Sequence, residues 1–168
     1  MPGLTLRRGG PADAADVLAL FDEAVAWLTA RGQTGQWGSE PWSRRASAVA
    51  RADEWAAGDG LWLAGDGDRV VGALVVGNRP LHLAPIAESE LYVVALVTSR
   101  ARAGEGIGAR LLAHAAALAR DAGAAVLRVD CWAGAPPLVA YYEGQGFTRS
   151  GTFSVGGWRG QVLTMRDP

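Results

Sequence analysis

Residues 101–112 read "ARAGEGIGARLL", setting three alternate glycines, Gly104, Gly106 and Gly108, between an apolar run and a helical pattern. The run ahead of them, Glu90 to Thr98 ("ELYVVALVT"), is what a strand covered on both faces carries. Behind them, apolar residues at 107, 111, 112, 115 and 118 keep to one helical stripe until the stop at Asp121 to Gly123. The glycines therefore sit at a strand-to-helix junction. Three chemistries use such a junction, and spacing separates them. A dinucleotide fingerprint needs G-x-G-x-x-G, whereas these three give G-x-G-x-G. A Walker loop needs lysine, and all 16 basic residues of this chain are arginine. What remains is a loop whose successive N–H groups, ending on the first turn of a helix, converge on a diphosphate with help from the helix dipole. Glycine suits it because a Cβ blocks close approach of backbone to phosphate. A tight turn with a close strand-to-helix contact is the plainer alternative.

Working outward, "LTLR" (Leu4 to Arg7) reads as a first strand, and Val17 to Leu28 as a helix that Asp13 caps and Gly32 ends. "GQTGQWGSEPW" (Gly32 to Trp42) is a loop, and Ser43 to Ala57 a second helix. "LWLAG" and "RVVGALVVG", joined by the turn residues Asp66 to Asp68, form a hairpin. After the glycine helix come the buried strand "AVLRVDCW", the short helix "PPLVAYYEG" and a closing strand pair around Gly156 and Gly157. The order β α α β β β α β α β β has no composition break or repeat, which predicts an α/β or α+β domain built on one mixed sheet.

With 168 residues the chain has the length of one domain able to bury its own core. A net charge of -1 indicates no nucleic-acid partner. The single cysteine, Cys131, excludes an internal disulfide and a cysteine-rich zinc site, and His82 has no ligand-forming neighbours in sequence, so no metal is expected. No segment has the apolar length of a membrane span, which makes a cytoplasmic protein the expectation.

"RAGEGIGARLL", preceded by "VVALVT" and followed by "YYEGQGF", resembles the acyl-CoA site of the GNAT superfamily of N-acetyltransferases, whose glycine motif is [Q/R]-x-x-G-x-[G/A]. The resemblance implies an α/β fold over residues 1–168: a mixed, mostly antiparallel central sheet flanked by helices and splayed at its central strands. It also implies acetyl-CoA as cofactor. Arg102, Ala103, Gly104, Glu105, Gly106, Ile107, Gly108 and Ala109 would then hold the pyrophosphate, and Leu96, Val97 and Thr98 the pantetheine arm. The motif's leading Gln or Arg falls on Ala103, one residue after Arg102, and Glu105 is expected to face solvent because a carboxylate repels phosphate.

By the same resemblance Tyr142 is the acid that protonates the departing thiolate, and Asp130, near the end of an otherwise apolar strand, orients or deprotonates the acceptor amine. A salt bridge from Asp130 to Arg128 or Arg149 is the structural alternative. The family's frequent Asn, seven before the tyrosine, is Ala135, and its central-strand base falls on Tyr92 or Val94. Glu90 and Tyr92 on that strand, and Trp37, Glu40 and Trp42 in the glycine-rich loop, are the acceptor-side candidates. The expected activity is direct transfer of an acetyl group from acetyl-CoA to an amine of a small acceptor; a CoA-binding module without catalysis is the alternative. Homodimers are common in the family resembled.

Overall fold

The computed structural model describes residues 3–168; residues 1 and 2, which begin the expected 1–168 domain, lie outside them. The elements run β1 (Thr5–Arg8), α1 (Ala14–Thr29), α2 (Ala46–Ala57), β2 (Leu61–Asp66), β3 (Arg69–Gly77), β4 (Glu90–Thr98), α3 (Ile107–Asp121), β5 (Val126–Trp132), α4 (Pro136–Gly144), β6 (Thr148–Val155) and β7 (Trp158–Arg166). This is the order expected from periodicity and turn residues. One helix starts late: instead of running unbroken from Ser43, the segment makes a 3-10 turn at Trp42–Arg44 and passes through an extended Arg45 before α2 begins. The cause lies in packing. Trp42 is buried, and the Ser43 N–H donates to Asp22 Oδ1 at 3.0 Å, which fixes the turn where propensity alone would continue a helix.

The chain forms two compact units, Met1–Val75 with Ala95–Leu111, and Val76–Val94 with Leu112–Pro168. In the first, β1, β2 and β3 are antiparallel neighbours, with the β2–β3 hairpin closing at the Asp66↔Arg69 pair around a left-handed Gly67. The end of β4 lies beside β3, where the Ser99 N–H donates to the Val71 carbonyl at 2.8 Å. α1 and α2 bury Val17, Phe21, Val25 and Ala52 in one cluster with Leu61, Leu63, Val75 and Val97 of the strands. Gly72 lets the start of α3 come close: a Cβ there would lie 2.8 Å from Ile107 Cγ2 and 3.0 Å from Leu111 Cδ1. The glycine of β3 thus sets the depth at which the glycine-loop helix seats.

In the second unit β4 and β5 run parallel, and β5, β7 and β6 continue the sheet antiparallel. Since β4 is a single strand shared by the units, the order is β1-β2-β3-β4-β5-β7-β6. The expected mixed, mostly antiparallel sheet with flanking helices is therefore present. The β4–β5 register covers Glu90↔Val126 to Val93↔Val129. β5 goes on to Trp132 paired with β7, and β4 goes on to Thr98, so the ladder between the two central strands ends halfway along both. Among the described residues, no helix is long and apolar enough to cross a membrane.

At the start of the first unit, Asp13 accepts two bonds from the Arg7 guanidinium, at 2.8 and 3.0 Å, and one from the Gly10 N–H at 2.8 Å. The Arg7 bonds, reinforced by the Gly10 amide, hold its carboxyl below the usual carboxylate range against the opposing effect of burial. A lowered acid favours folding above its unfolded pKa of 3.8 and loses that contribution as the pH falls through and below it. Since Arg7 is 53% exposed, the pair is screened, and Asp13→Asn is expected to cost about 1 kcal/mol at neutral pH. In urea titrations the gap to the unchanged protein should close as the pH falls below 3.8. A gap independent of pH would show that the carboxylate charge contributes nothing.

Candidate active site

The glycine loop belongs to the first unit. A 3-10 turn, Arg100–Arg102, leads from β4 into Gly104 and Gly106, whose φ angles of +85° and +76° put both in the left-handed region. Each has open space where a Cβ would stand, so the backbone is bare on that side. The Arg110 N–H bonds the Gly106 carbonyl at 3.0 Å, closing the first turn of α3. Ile107, Gly108 and Ala109 precede that bond, so helix geometry gives their N–H groups no intrahelical acceptor. Ile107 is buried against Gly72, so its side chain anchors the helix while its amide lies at the helix end. Not every amide of the stretch is available to a ligand. Those of Ala103 and Glu105 are taken up by the carbonyls of Arg100 and Arg102, each at 3.3 Å.

Side chains hold the loop in place of the absent motif residue at Ala103. Glu23 of α1 accepts from Ser99 Oγ at 3.1 Å and from the Ala101 N–H at 3.0 Å. The Arg100 guanidinium lies 3.6 Å from the centre of the Trp27 ring. Arg102 and Glu105 differ from the expectation. Glu105 turns from open solvent to Arg102, whose Nε reaches its two oxygens at 2.8 and 2.7 Å, while Arg102 Nη1 bonds Asp66 at 2.8 Å. A guanidinium and a carboxylate three residues apart, on a turn that brings them face to face, satisfy each other. The positive charge of Arg102 is thus already partnered.

A fit to a coenzyme A diphosphate can be judged from these features. Bare backbone, left-handed glycines and outward helix amides suit a diphosphate, and a Cβ at Gly104 or Gly106 would enter the space beside the loop. β4 supplies Leu96, Val97 and Thr98 beyond the last β4–β5 pair, where their backbone groups are not committed to β5.

The second unit carries a polar ladder on the paired half of β4 and β5. Glu90 Oε2 accepts from Arg128 Nη1 at 2.8 Å, the Arg128 guanidinium stands 5.8 Å from the Tyr92 ring centre, and the Tyr92 hydroxyl donates to Asp130 Oδ2. Alternation of side chains places Glu90 and Tyr92 on one face of β4, and Arg128 and Asp130 on one face of β5. Asp130 therefore pairs with neither arginine of the structural alternative, since Arg128 is taken by Glu90 and Arg149 by Glu143. Burial raises the Asp130 carboxyl, and the Tyr92 bond and the charges of His82 and Arg128 oppose that rise. Burial likewise pushes the Tyr92 phenol far above its usual range. Tyr92, expected beside the acceptor, is 0% exposed, and its hydroxyl is directed at Asp130. Glu90 is held by Arg128 in the same interior.

Tyr142 of α4 is 6% exposed, edge-on to Phe147 at 5.8 Å and to Tyr141 at 5.6 Å. Burial raises its phenol, so the proton is firmly held until a strong base arrives. Cys131 points into the interior with its thiol pushed up to about 12, chiefly by burial, and carries no thiolate at neutral pH.

Of the acceptor-side residues read from the glycine-rich loop, Glu40 is exposed and Trp37 partly buried. Trp42 is a correction: it lies flat on Phe21, 4.0 Å between ring centres and 3° between planes, and belongs to the core. A large aromatic beside an apolar helix face gains more from stacking than from standing in solvent. Sequence reading missed two residues. Glu23, the anchor of the loop stem, is one of several acids on α1 and carries no motif. The His82 ring lies tilted beside Phe153, 5.0 Å between centres, and close enough to Asp130 to act on its charge, a proximity across 48 residues that no spacing announces.

The model of the acetyltransferase (GNAT) family matches residues 21–147. No curated protein matches the sequence. The fold is similar to that of a GNAT-family acetyltransferase from Listeria monocytogenes (TM-score 0.73, 19% identity, 97% of this chain and 94% of that one). It is similar also to yncA of Salmonella typhimurium, solved with its cofactor acetyl-CoA (TM-score 0.69, 16% identity, 98% and 94%). A ribosomal-protein-alanine N-acetyltransferase from Brucella melitensis gives a TM-score of 0.67 at 22% identity, with 97% and 99% covered.

Proposed function

The chain belongs to the acetyltransferase (GNAT) family, and from that premise we propose that it transfers the acetyl group of acetyl-CoA directly to an amine of a small-molecule acceptor, with residues 1–168 working as one domain. The observation that carries the reading is the bare glycine loop: two left-handed glycines opening onto the unpaired amides of a 15-residue helix. The amides of Gly106, Ile107, Gly108 and Ala109, with Gly104 shaping the turn, hold the diphosphate, and the backbone of Leu96, Val97 and Thr98 holds the pantetheine arm. Acetyl-CoA supplies an acyl group already activated as a thioester.

The protein's own groups handle protons. Asp130 takes one from the acceptor ammonium; its carboxyl, raised by burial and fixed by the Tyr92 hydroxyl, is a better base than an exposed aspartate. As the amine nitrogen bonds the acyl carbon and the carbon–sulfur bond breaks, the Tyr142 hydroxyl gives its proton to the sulfur and recovers one from the nitrogen. Of the two protons the ammonium loses, one ends on sulfur and one leaves through Asp130. Trp37 and Glu40 are the proposed acceptor contacts, an aromatic wall and a carboxylate toward the ammonium.

The test is a panel of amines assayed for thiol release from acetyl-CoA. Release with at least one small amine supports the reading. Coenzyme A binding by calorimetry, with no release for any amine, would instead favour the non-catalytic module, a reading that the alanines at 103 and 135 and the buried Tyr92 in the place of a central-strand base also favour.

A further inference from the structure

Arg102 is the basic side chain nearest the bare glycines in sequence, and its fork is filled from within. Glu105 presents both oxygens to it at 2.7–2.8 Å and Asp66 binds the remaining edge at 2.8 Å. Two carboxylates around one guanidinium leave a net charge of -1 beside the loop read as a diphosphate site, which opposes an anionic ligand. Glu105 occupies the Nε and Nη2 edge of the guanidinium, donors that an arginine also offers to phosphate. The two acids are held differently. Asp66 ends β2 and has a strand behind it. Glu105 stands between Gly104 and Gly106, both left-handed and both with empty space around their missing side chains, so its side chain can swing away while its N–H keeps the 3.3 Å bond to the Arg102 carbonyl. Its side chain is 46% exposed, so the released carboxylate is readily hydrated.

We propose that Glu105 is an internal competitor of the donor: its carboxylate occupies Arg102 until a diphosphate displaces it, whereupon Arg102 becomes a phosphate ligand still oriented by Asp66. The inference rests on the glycine loop being a coenzyme A site. Donor affinity is then set below what the loop alone would give, and the arginine is withheld from anions too weak to displace a carboxylate.

Calorimetry with coenzyme A, and with inorganic pyrophosphate as a probe lacking the rest of the cofactor, separates the possibilities. Glu105→Gln should bind both about three- to tenfold more tightly than the unchanged protein at low salt, the value of one partly exposed ion pair. Asp66→Asn removes the same charge but leaves Arg102 held by Glu105, so its gain should be much smaller. Adding Arg102→Ala to Glu105→Gln should abolish the gain. Equal gains from the two acid replacements would mean that net charge alone acts, and overturn the displacement. So would wild-type or weaker affinity in Glu105→Gln. No heat from the unchanged protein with either probe would overturn the coenzyme A reading itself, a result distinct from the other two.

Discussion

Tyr142→Phe is expected to lower turnover by about a hundredfold or more while leaving the calorimetric affinity for coenzyme A within about twofold, because general acid catalysis typically contributes 10²–10⁴-fold and the ring, not the hydroxyl, does the packing. The substitution is near-silent for the fold. Tyr142 is 6% exposed and packs edge-on against Phe147 and Tyr141, contacts that a phenylalanine keeps. What it loses is the one proton donor assigned to the leaving sulfur. The raised phenol has a kinetic corollary: Tyr142 stays protonated throughout the working range, so it sets no alkaline limb between pH 6 and 9. On the proposed mechanism the acid limb of kcat/KM should come from Asp130 and lie above the usual aspartate range, because burial raises its carboxyl. Wild-type turnover in Tyr142→Phe would remove the residue from the reaction, whatever the state of the loop.

The second large effect is on stability. Arg128→Met is expected to cost about 3–5 kcal/mol, because it strands the Glu90 carboxylate in an interior where only 12% of that side chain is exposed. Arg128 itself is 8% exposed and also faces the Tyr92 ring, so cation–π attraction is lost along with the 2.8 Å ion pair. Adding Glu90→Gln should recover most of the loss, since the penalty lies in the unpaired charge and not in the absence of the pair. Chemical denaturation of the single and double variants measures both quantities. A single variant that loses less than about 1 kcal/mol would mean that water already reaches the pair.

These two residues also show what a sequence conveys. Tyr142 could be named from "YYEGQGF" because that stretch resembles the one in which the GNAT family carries its acid, while its burial at 6% exposure came from the fold. Arg128 could not, because its partner lies 38 residues away on a strand that becomes its neighbour only through parallel pairing. Asp130 falls between these cases. A lone carboxylate near the end of an apolar strand announced itself as paired or functional, but sequence offered the arginines at 128 and 149 as partners, and the fold supplied Tyr92.

Sequence by itself determined the alternation of strands and helices, the hairpin at Gly67, the limits of the central strand and of the helix behind the glycines, and the loop between them. Each is written in local terms, as apolar period, turn residue or the need for a missing Cβ, and local terms survive without knowledge of neighbours. Tertiary structure alone decided which polar and charged groups pair. Arg102 with Glu105 and Asp66, Arg128 with Glu90, and Tyr92 with Asp130 are mostly contacts between elements remote in the chain. It also decided that Trp42 stacks in the core instead of standing in the loop. An ion pair or a ring stack depends on distances of a few ångströms between backbones brought together by the whole sheet, and no spacing along one strand carries that distance.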